Sequence, residues 1–230
     1  MDSIKNNLSR IKTTIHEIAK KAGRAPEEVQ LIGVSKRKTA ETVLEGIDAG
    51  ADHLGENYIQ EAIQKIDTIG KSKACWHFIG HLQSNKAKFA VPFFDYIHTV
   101  HSIKLAKEIN KQAAKVGKIQ NILLQVNIGN EDSKSGAHVD QAIDLAKEFI
   151  QFPHLKLCGL MCMPPFSQDP EEARPYFKRL AALKQDIIKA GIPLENMNHL
   201  SMGMSNDFAV AIEEGATFVR VGTAIFGSRD

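Results

Sequence analysis

Apolar positions along the chain alternate between two rhythms. Short runs rich in β-branched and aromatic residues predict strands at "VQLIGVSK", "DHLGEN", "WHFIG", "DYIHTV", "IQNILLQVNI", "LKLCGLMCM", "NHLSMG" and "TFVRVG". Between most of them the apolar residues recur at helical spacing, in "AETVLEGIDAG", "YIQEAIQKIDTIG", "SIKLAKEINKQAAKVG", "HVDQAIDLAKEFI", "PEEARPYFKRLAALKQDIIKAG" and "NDFAVAIEEGA". Gly50, Gly70, Gly117, Gly191 and Gly215 fall where those helices should stop. Strands that alternate with helices form parallel sheets, and eight of them are enough to close a (β/α)₈ TIM barrel.

Too little chain follows the last strand for an eighth long helix. The segment from Ser3 to Ala22 carries Ile4, Leu8, Ile11, Ile15 and Ile18 near the helical period, so an N-terminal helix is expected to cover the vacant place. The competing architecture, a doubly wound open sheet, would place a Gly-rich nucleotide loop after its first strand, and the chain has no G-x-G-x-x-G. One barrel domain over residues 1–230 is the expectation.

Composition narrows the function without choosing it. The 230 residues are 43% hydrophobic and 24% charged, ordinary for a globular chain. With 29 basic against 27 acidic residues and no long basic block, the footprint of a nucleic-acid binder is missing. The N-terminal segment lacks the apolar core of a signal peptide, and no apolar stretch is long enough to span a bilayer. Cys75, Cys158 and Cys162 read as reduced core thiols, which points to the cytoplasm.

Barrels of this kind place their working residues at the C-terminal ends of the strands. There the sequence puts Lys36, Glu56 with Asn57, Gly80 with His81, Asn127, Ser201, and Arg220 with Gly222 and Thr223. Lys36 ends the apolar run "VQLIGVSK", so its amine should leave the barrel at the mouth, partly desolvated. A lysine so placed is a candidate for bonding to a carbonyl. Lys38, two residues on, is expected to reach solvent. In "LSMGMSNDF" and "VRVGTAIFG", Ser201 and Thr223 offer hydroxyls, while Gly203 and Gly222 allow close backbone approach. Loops after the seventh and eighth strands of barrels often hold a phosphate. Arg220 lies between valines on a strand that should be buried, so it needs either a carboxylate partner or a ligand. A bonding lysine, an anion cup and an arginine are the parts a pyridoxal phosphate site requires. His77 reads as a packed strand residue, His98 and His101 receive no role, and Lys134 of "SKSG" stands in a polar loop on the active face.

The segments "LIGVSKRK", "GADHLGENYIQEA", "WHFIGHLQSNK", "LLQVNIGNEDSKSG", "LSMGMSNDF" and "VRVGTAIFGSRD" together resemble the pyridoxal phosphate homeostasis protein family over nearly the whole chain. The resemblance implies a barrel similar to the N-terminal domain of alanine racemase, with pyridoxal 5′-phosphate held as an internal aldimine on Lys36. It implies that Ser201, Gly222 and Thr223 hold the phosphate and that Arg220 faces the pyridine nitrogen. It also implies that Asn57 and His81 line the cofactor and that Lys134 influences its release. Thr39 stands where many members of that family have proline, and the chain lacks the longer basic tail of some members.

Family members are regarded as buffering or delivering the cofactor without established catalysis, which makes pyridoxal-phosphate-dependent apoenzymes the expected recipients and a monomer the expected state. An arginine at the pyridine nitrogen disfavours protonation of the ring and weakens it as an electron sink. The rival functions are a pyridoxal-phosphate-dependent racemase or lyase with Lys36 as base, and a Schiff-base aldolase without cofactor.

Overall fold

Eight parallel strands close on themselves in sequence order, β1-β2-β3-β4-β5-β6-β7-β8, and β8 returns to pair with β1. The strands are β1 Gln30–Val34, β2 His53–Glu56, β3 Cys75–Phe78, β4 Tyr96–Val100, β5 Gln120–Gln125, β6 Leu155–Met161, β7 His199–Met204 and β8 Phe218–Val221. The computed structural model describes residues 3–129 and 135–227, so Lys134 lies outside the described residues. The TIM barrel expected from the alternation is present. All five helix-ending glycines adopt positive φ, between 61° and 99°, as the stop signals require.

The helices are α1 Ile4–Lys21, α2 Ala40–Asp48, α3 Ile59–Ile69, α4 Ala87–Ala90, α5 Ile103–Lys115, α6 Ala142–Phe149, α7 Arg174–Lys189, α8 Phe208–Glu213 and α9 Thr223–Phe226. After β8 there is only the single turn α9, and α1 packs against α9, α8 and α2, covering the place of the missing helix. Polar contacts fix that packing. The Asn7 amide donates to the Ile225 carbonyl at 3.2 Å, and Arg24, just past α1, donates to the Ile212 and Ala216 carbonyls. One turn was not expected from the sequence: α4 bridges β3 and β4, in a stretch where "NKAKFAVPF" shows no helical period long enough to register. Thr39 caps α2, its hydroxyl accepting from the Thr42 N–H at 3.3 Å.

Strand alternation sorts the core into two layers. Trp76 and Phe78 of β3 and Val219 and Val221 of β8 point outward into the layer between sheet and helices. Ile32, Leu123, Cys158, Met161 and Phe218 point inward, with Tyr96 against them. The rest of the interior is polar: His77, His98, Ser201 and Arg220 are all buried inside the barrel. No helix among the described residues is long and apolar enough to cross a membrane.

Candidate functional site

A cavity of about 340 Å³ opens at the C-terminal mouth of the barrel. Lys36, Asn57, Arg220, Gly222 and Thr223 all line it, so five residues picked from three strand ends, those of β1, β2 and β8, meet at one place. Lys38 lines the same cavity and is half-buried, contrary to the expectation that it turns away to solvent. The chain turns sharply at Arg37 (φ 61°), which brings both lysines to the mouth.

Two expected residues are elsewhere. Ser201 lies within β7, not at its end, because that strand runs on to Met204; its side chain sits fully buried beneath the cavity. His81 is three residues beyond β3 on the rim, exposed, stacked on the His101 ring at 5.8 Å and 3.4 Å from the Ser135 hydroxyl. It does not line the cavity. The hydroxyl nearer the place expected of Ser201 belongs to Ser205, on the loop after β7, which lines the cavity with Asn206 and Asp207. That loop is tied by the Met204 N–H donating to the Asp207 carboxylate at 2.6 Å. Just before it, still within β7, Gly203 (φ 89°) packs against α8, where a Cβ would stand 2.5 Å from Ala211 Cβ. A second serine in the same motif, "SMGMS", was the available signal.

Asn57 is held by a close approach of two loops: a Cβ on Gly80 would lie 2.1 Å from the Asn57 carbonyl oxygen. Its side-chain Oδ1 is buried with no protein partner. Arg220 is 4% exposed, yet its guanidinium donates to two neutral groups, the Ser201 hydroxyl at 2.7 Å and the Cys162 carbonyl at 3.0 Å. The carboxylate partner that burial alone would allow is not made among the described residues.

Behind Lys36 stands a cluster that its strand gave no hint of. The Lys65 ammonium, 4% exposed, donates to the Ser35 carbonyl at 2.7 Å and to Glu56 Oε1 at 2.8 Å, and it also pairs with Glu61. The Arg37 N–H donates to the same Glu61 carboxylate, so the backbone is pinned on both sides of residue 36. Burial pushes the Glu56 carboxyl up, and the Lys65 charge opposes that rise. The signal was in α3, where Lys65 shares the buried face of Ile59, Ala62, Ile66 and Ile69.

The barrel interior also holds four histidines kept neutral. Burial, and then neighbouring histidines or Arg220, hold His77 and His98 well below the ordinary imidazole range; His53 is lowered, and His199 falls to about 4. The folded protein therefore refuses protons that the unfolded chain accepts below about pH 6.5, so stability must fall as pH drops through that value. The slope approaches about 1.4 kcal/mol per pH unit for each of the fully buried His77 and His98 and is smaller for the half-buried His53 and His199. Denaturant midpoints measured at pH 7.5, 6 and 5 should decline steadily, and a flat series would contradict the burial of these rings.

No disulfide joins Cys75, Cys158 and Cys162, and burial pushes the half-buried Cys75 to about 12 and the buried Cys158 to about 11. Ligand atoms of His53, Cys75 and His77 lie within 4.8 Å of one another. His53 Nδ1 and His77 Nε2 are already hydrogen-bonded to each other at 2.9 Å.

The fold and this mouth define a class. A family model described as alanine racemase, N-terminal domain, matches residues 4–230. The Clostridium difficile alanine racemase shares the fold with TM-score 0.74 at 15% identity, and this chain covers 56% of its length. Relatives matched end to end are more specific. "Pyridoxal phosphate homeostasis protein" of Vibrio alginolyticus is 42% identical, covering 100% of this chain and 99% of the relative, and that of Escherichia coli K12 is 40% identical over 100% and 98%. The chain belongs to the pyridoxal phosphate homeostasis protein family. The solved structure of PipY from Synechococcus elongatus PCC7942 with PLP bound superposes with TM-score 0.85 at 32% identity, covering 98% of this chain and 100% of that one.

Proposed function

We propose that this chain binds pyridoxal 5′-phosphate in the cavity at the barrel mouth and serves in keeping the cell's supply of that cofactor, without a reaction of its own. The observation that carries the reading is the convergence of Lys36, Asn57, Arg220, Gly222 and Thr223 on one cavity of about 340 Å³, within the size range of small-molecule sites. The cofactor's features find matching groups there. An aldehyde suits the half-buried Lys36 amine. An anion suits the Gly222–Thr223 backbone and hydroxyl together with Ser205. A ring nitrogen that accepts a hydrogen bond suits Arg220, and a ring hydroxyl, which can donate, suits the unpartnered Asn57 Oδ1. In this reading Ser201 supports Arg220 from below and His81 stays on the rim.

A carrier role is favoured by what lines the cavity. Its ionisable groups among the described residues are Lys36, Lys38, Asp207 and Arg220; no tyrosine or histidine is among them to serve as a second acid or base. The Asp207 carboxylate already accepts the Met204 N–H. The Arg220 charge opposes protonation of a ring nitrogen set against it, which withholds the electron sink that amino-acid chemistry needs. On this reading the recipients are pyridoxal-phosphate-dependent apoenzymes, served in the cytoplasm by a monomer.

The test is to load the purified chain with pyridoxal 5′-phosphate, reduce with borohydride, digest and map the modified residue. The expected adduct is on Lys36 alone. Loading without any reducible bond, or an adduct on Lys38 instead, overturns the assignment. Turnover of an amino acid at rates usual for enzymes, about 1–1,000 per second, overturns the carrier role.

A further inference from the structure

A chain of hydrogen bonds runs through the barrel interior from the cavity to its opposite end. Arg220 of β8 donates to Ser201 Oγ of β7 at 2.7 Å. Ser201 Oγ is 2.9 Å from His98 Nδ1 of β4, His98 Nε2 is 2.9 Å from His77 Nδ1 of β3, and His77 Nε2 is 2.9 Å from His53 Nδ1 of β2. His53 opens onto a separate groove of about 520 Å³ that α1 borders at the N-terminal side of the barrel.

The donor direction follows from Arg220, which can only donate. The buried Ser201 hydroxyl has no third partner among the described residues, so its proton is satisfied only by donation to His98 Nδ1. His98 then carries its proton on Nε2 and donates to His77, and His77 likewise donates to His53. Every dipole in the series turns its negative end toward the guanidinium. The reverse direction would aim an N–H at the cation and leave the serine proton without an acceptor.

We infer that His98, with His77 and His53 in series behind it, is a positioning device for Arg220: aligned neutral dipoles hold the guanidinium from below, through Ser201, with no carboxylate hydrogen-bonded to it, so that among the described residues Asp207 of the cavity wall is the one carboxylate whose field it feels. A carboxylate in that place would fix the arginine equally well but cancel the charge it presents. Chains of hydrogen bonds in a low-dielectric interior polarise one another, which lets neutral groups do this over three rings. The inference rests on the reading that the cavity takes pyridoxal 5′-phosphate. The groups facing the chain are Tyr96 of β4, stacked on His77 at 4.8 Å, Cys75 of β3, Phe218 of β8 and His199 of β7, with Asp52, Asp95 and Lys12 at the His53 end and Asp207 and Cys162 on the Arg220 side. Burial keeps Tyr96 and Cys75 protonated, both near 12, and His77 and His98 neutral, so the buried part of the chain holds one state across the physiological range.

Two measurements test it. In the ligand-free protein, nitrogen-15 spectra of the imidazoles should show His98 and His77 protonated on Nε2 and bare on Nδ1; the opposite tautomers overturn the inference whether or not the cofactor binds. In the loaded protein, His98→Leu removes the acceptor for the Ser201 proton and should weaken pyridoxal 5′-phosphate binding about ten- to hundredfold. It should also give the bound chromophore a pH-dependent band between pH 6 and 9 that the parent lacks. His98→Gln, whose amide oxygen can accept from Ser201, should restore binding to within about threefold and remove the new band. His53→Gln, two rings further away and partly exposed, should change both readouts least. Leucine and parent proteins with the same affinity and the same pH profile overturn the inference, and so does a glutamine variant as impaired as the leucine one. A parent chain that takes up no cofactor overturns the functional reading, while the tautomers still decide this one.

Discussion

Lys36→Ala should abolish reducible attachment of pyridoxal 5′-phosphate and, with it, the visible absorption of the loaded protein. The expected loss is complete for the covalent bond, because no other lining group but Lys38 has a primary amine. The backbone on both sides of residue 36 is fixed by Lys65 and Glu61, whereas Lys38, which lines the same cavity, lies beyond the pinned turn. Residual binding should persist as weak, non-covalent uptake through the anion cup and Arg220. Absorbance, borohydride mapping and equilibrium dialysis on the same sample separate the two contributions. Visible absorption and an adduct retained on Lys38 would show that the pinned backbone does not select the amine. Stability should change little, since Lys36 is half-buried at the rim.

Lys65→Met should have the largest effect on stability. It leaves the fully buried Glu56 carboxylate without its cation, a change that costs about 3–5 kcal/mol when one partner of a buried pair is removed. It also frees the Ser35 carbonyl and Glu61, so the turn carrying Lys36 should loosen and cofactor attachment should slow. The double change Lys65→Met with Glu56→Gln should recover most of the stability, because a neutral amide still accepts from the Ser35 hydroxyl that bonds Glu56 at 2.7 Å. Attachment should not recover in parallel, since the Ser35 carbonyl stays unheld. Urea midpoints and attachment rates on the single and double variants check both statements. A single variant within about 1 kcal/mol of the parent would mean that Glu56 is neutral in the fold and needs no cation.

How far the sequence could be read varies with the kind of signal. The alternation of buried runs with amphipathic helices carried the barrel, and the glycine stops carried the helix ends, because both depend on periods local to a few turns. Lys36 was visible because a lysine closing an apolar run is out of place. Arg220 was visible for the same reason. Lys65 was overlooked although its helix offered the sign, since a charge on an apolar stripe registers only once the stripe is drawn around it. Ser201 was read one step too high. The end of β7 is set by where β8 and the loop to α8 allow pairing to stop, and the register between β7 and β8 shifts between Ser201 and Met204. His98 lacked any local cue, for its partners come from β3 and β7.

The sequence by itself determined the eight-unit alternation, the helix that stands in for the missing one, the residue types at the mouth and the family to which the chain belongs. These follow from side-chain period, backbone breakers and motif order, all of which act along the chain. The tertiary structure alone decided that Lys38 shares the cavity, that Ser205 faces it while Ser201 lies beneath, that His81 stays outside, and that Arg220 donates to the Ser201 hydroxyl and the Cys162 carbonyl. Closing a barrel brings strands far apart in sequence to hydrogen-bonding distance, and the inward partner of each residue depends on stagger between strands. No period along a single strand records that stagger.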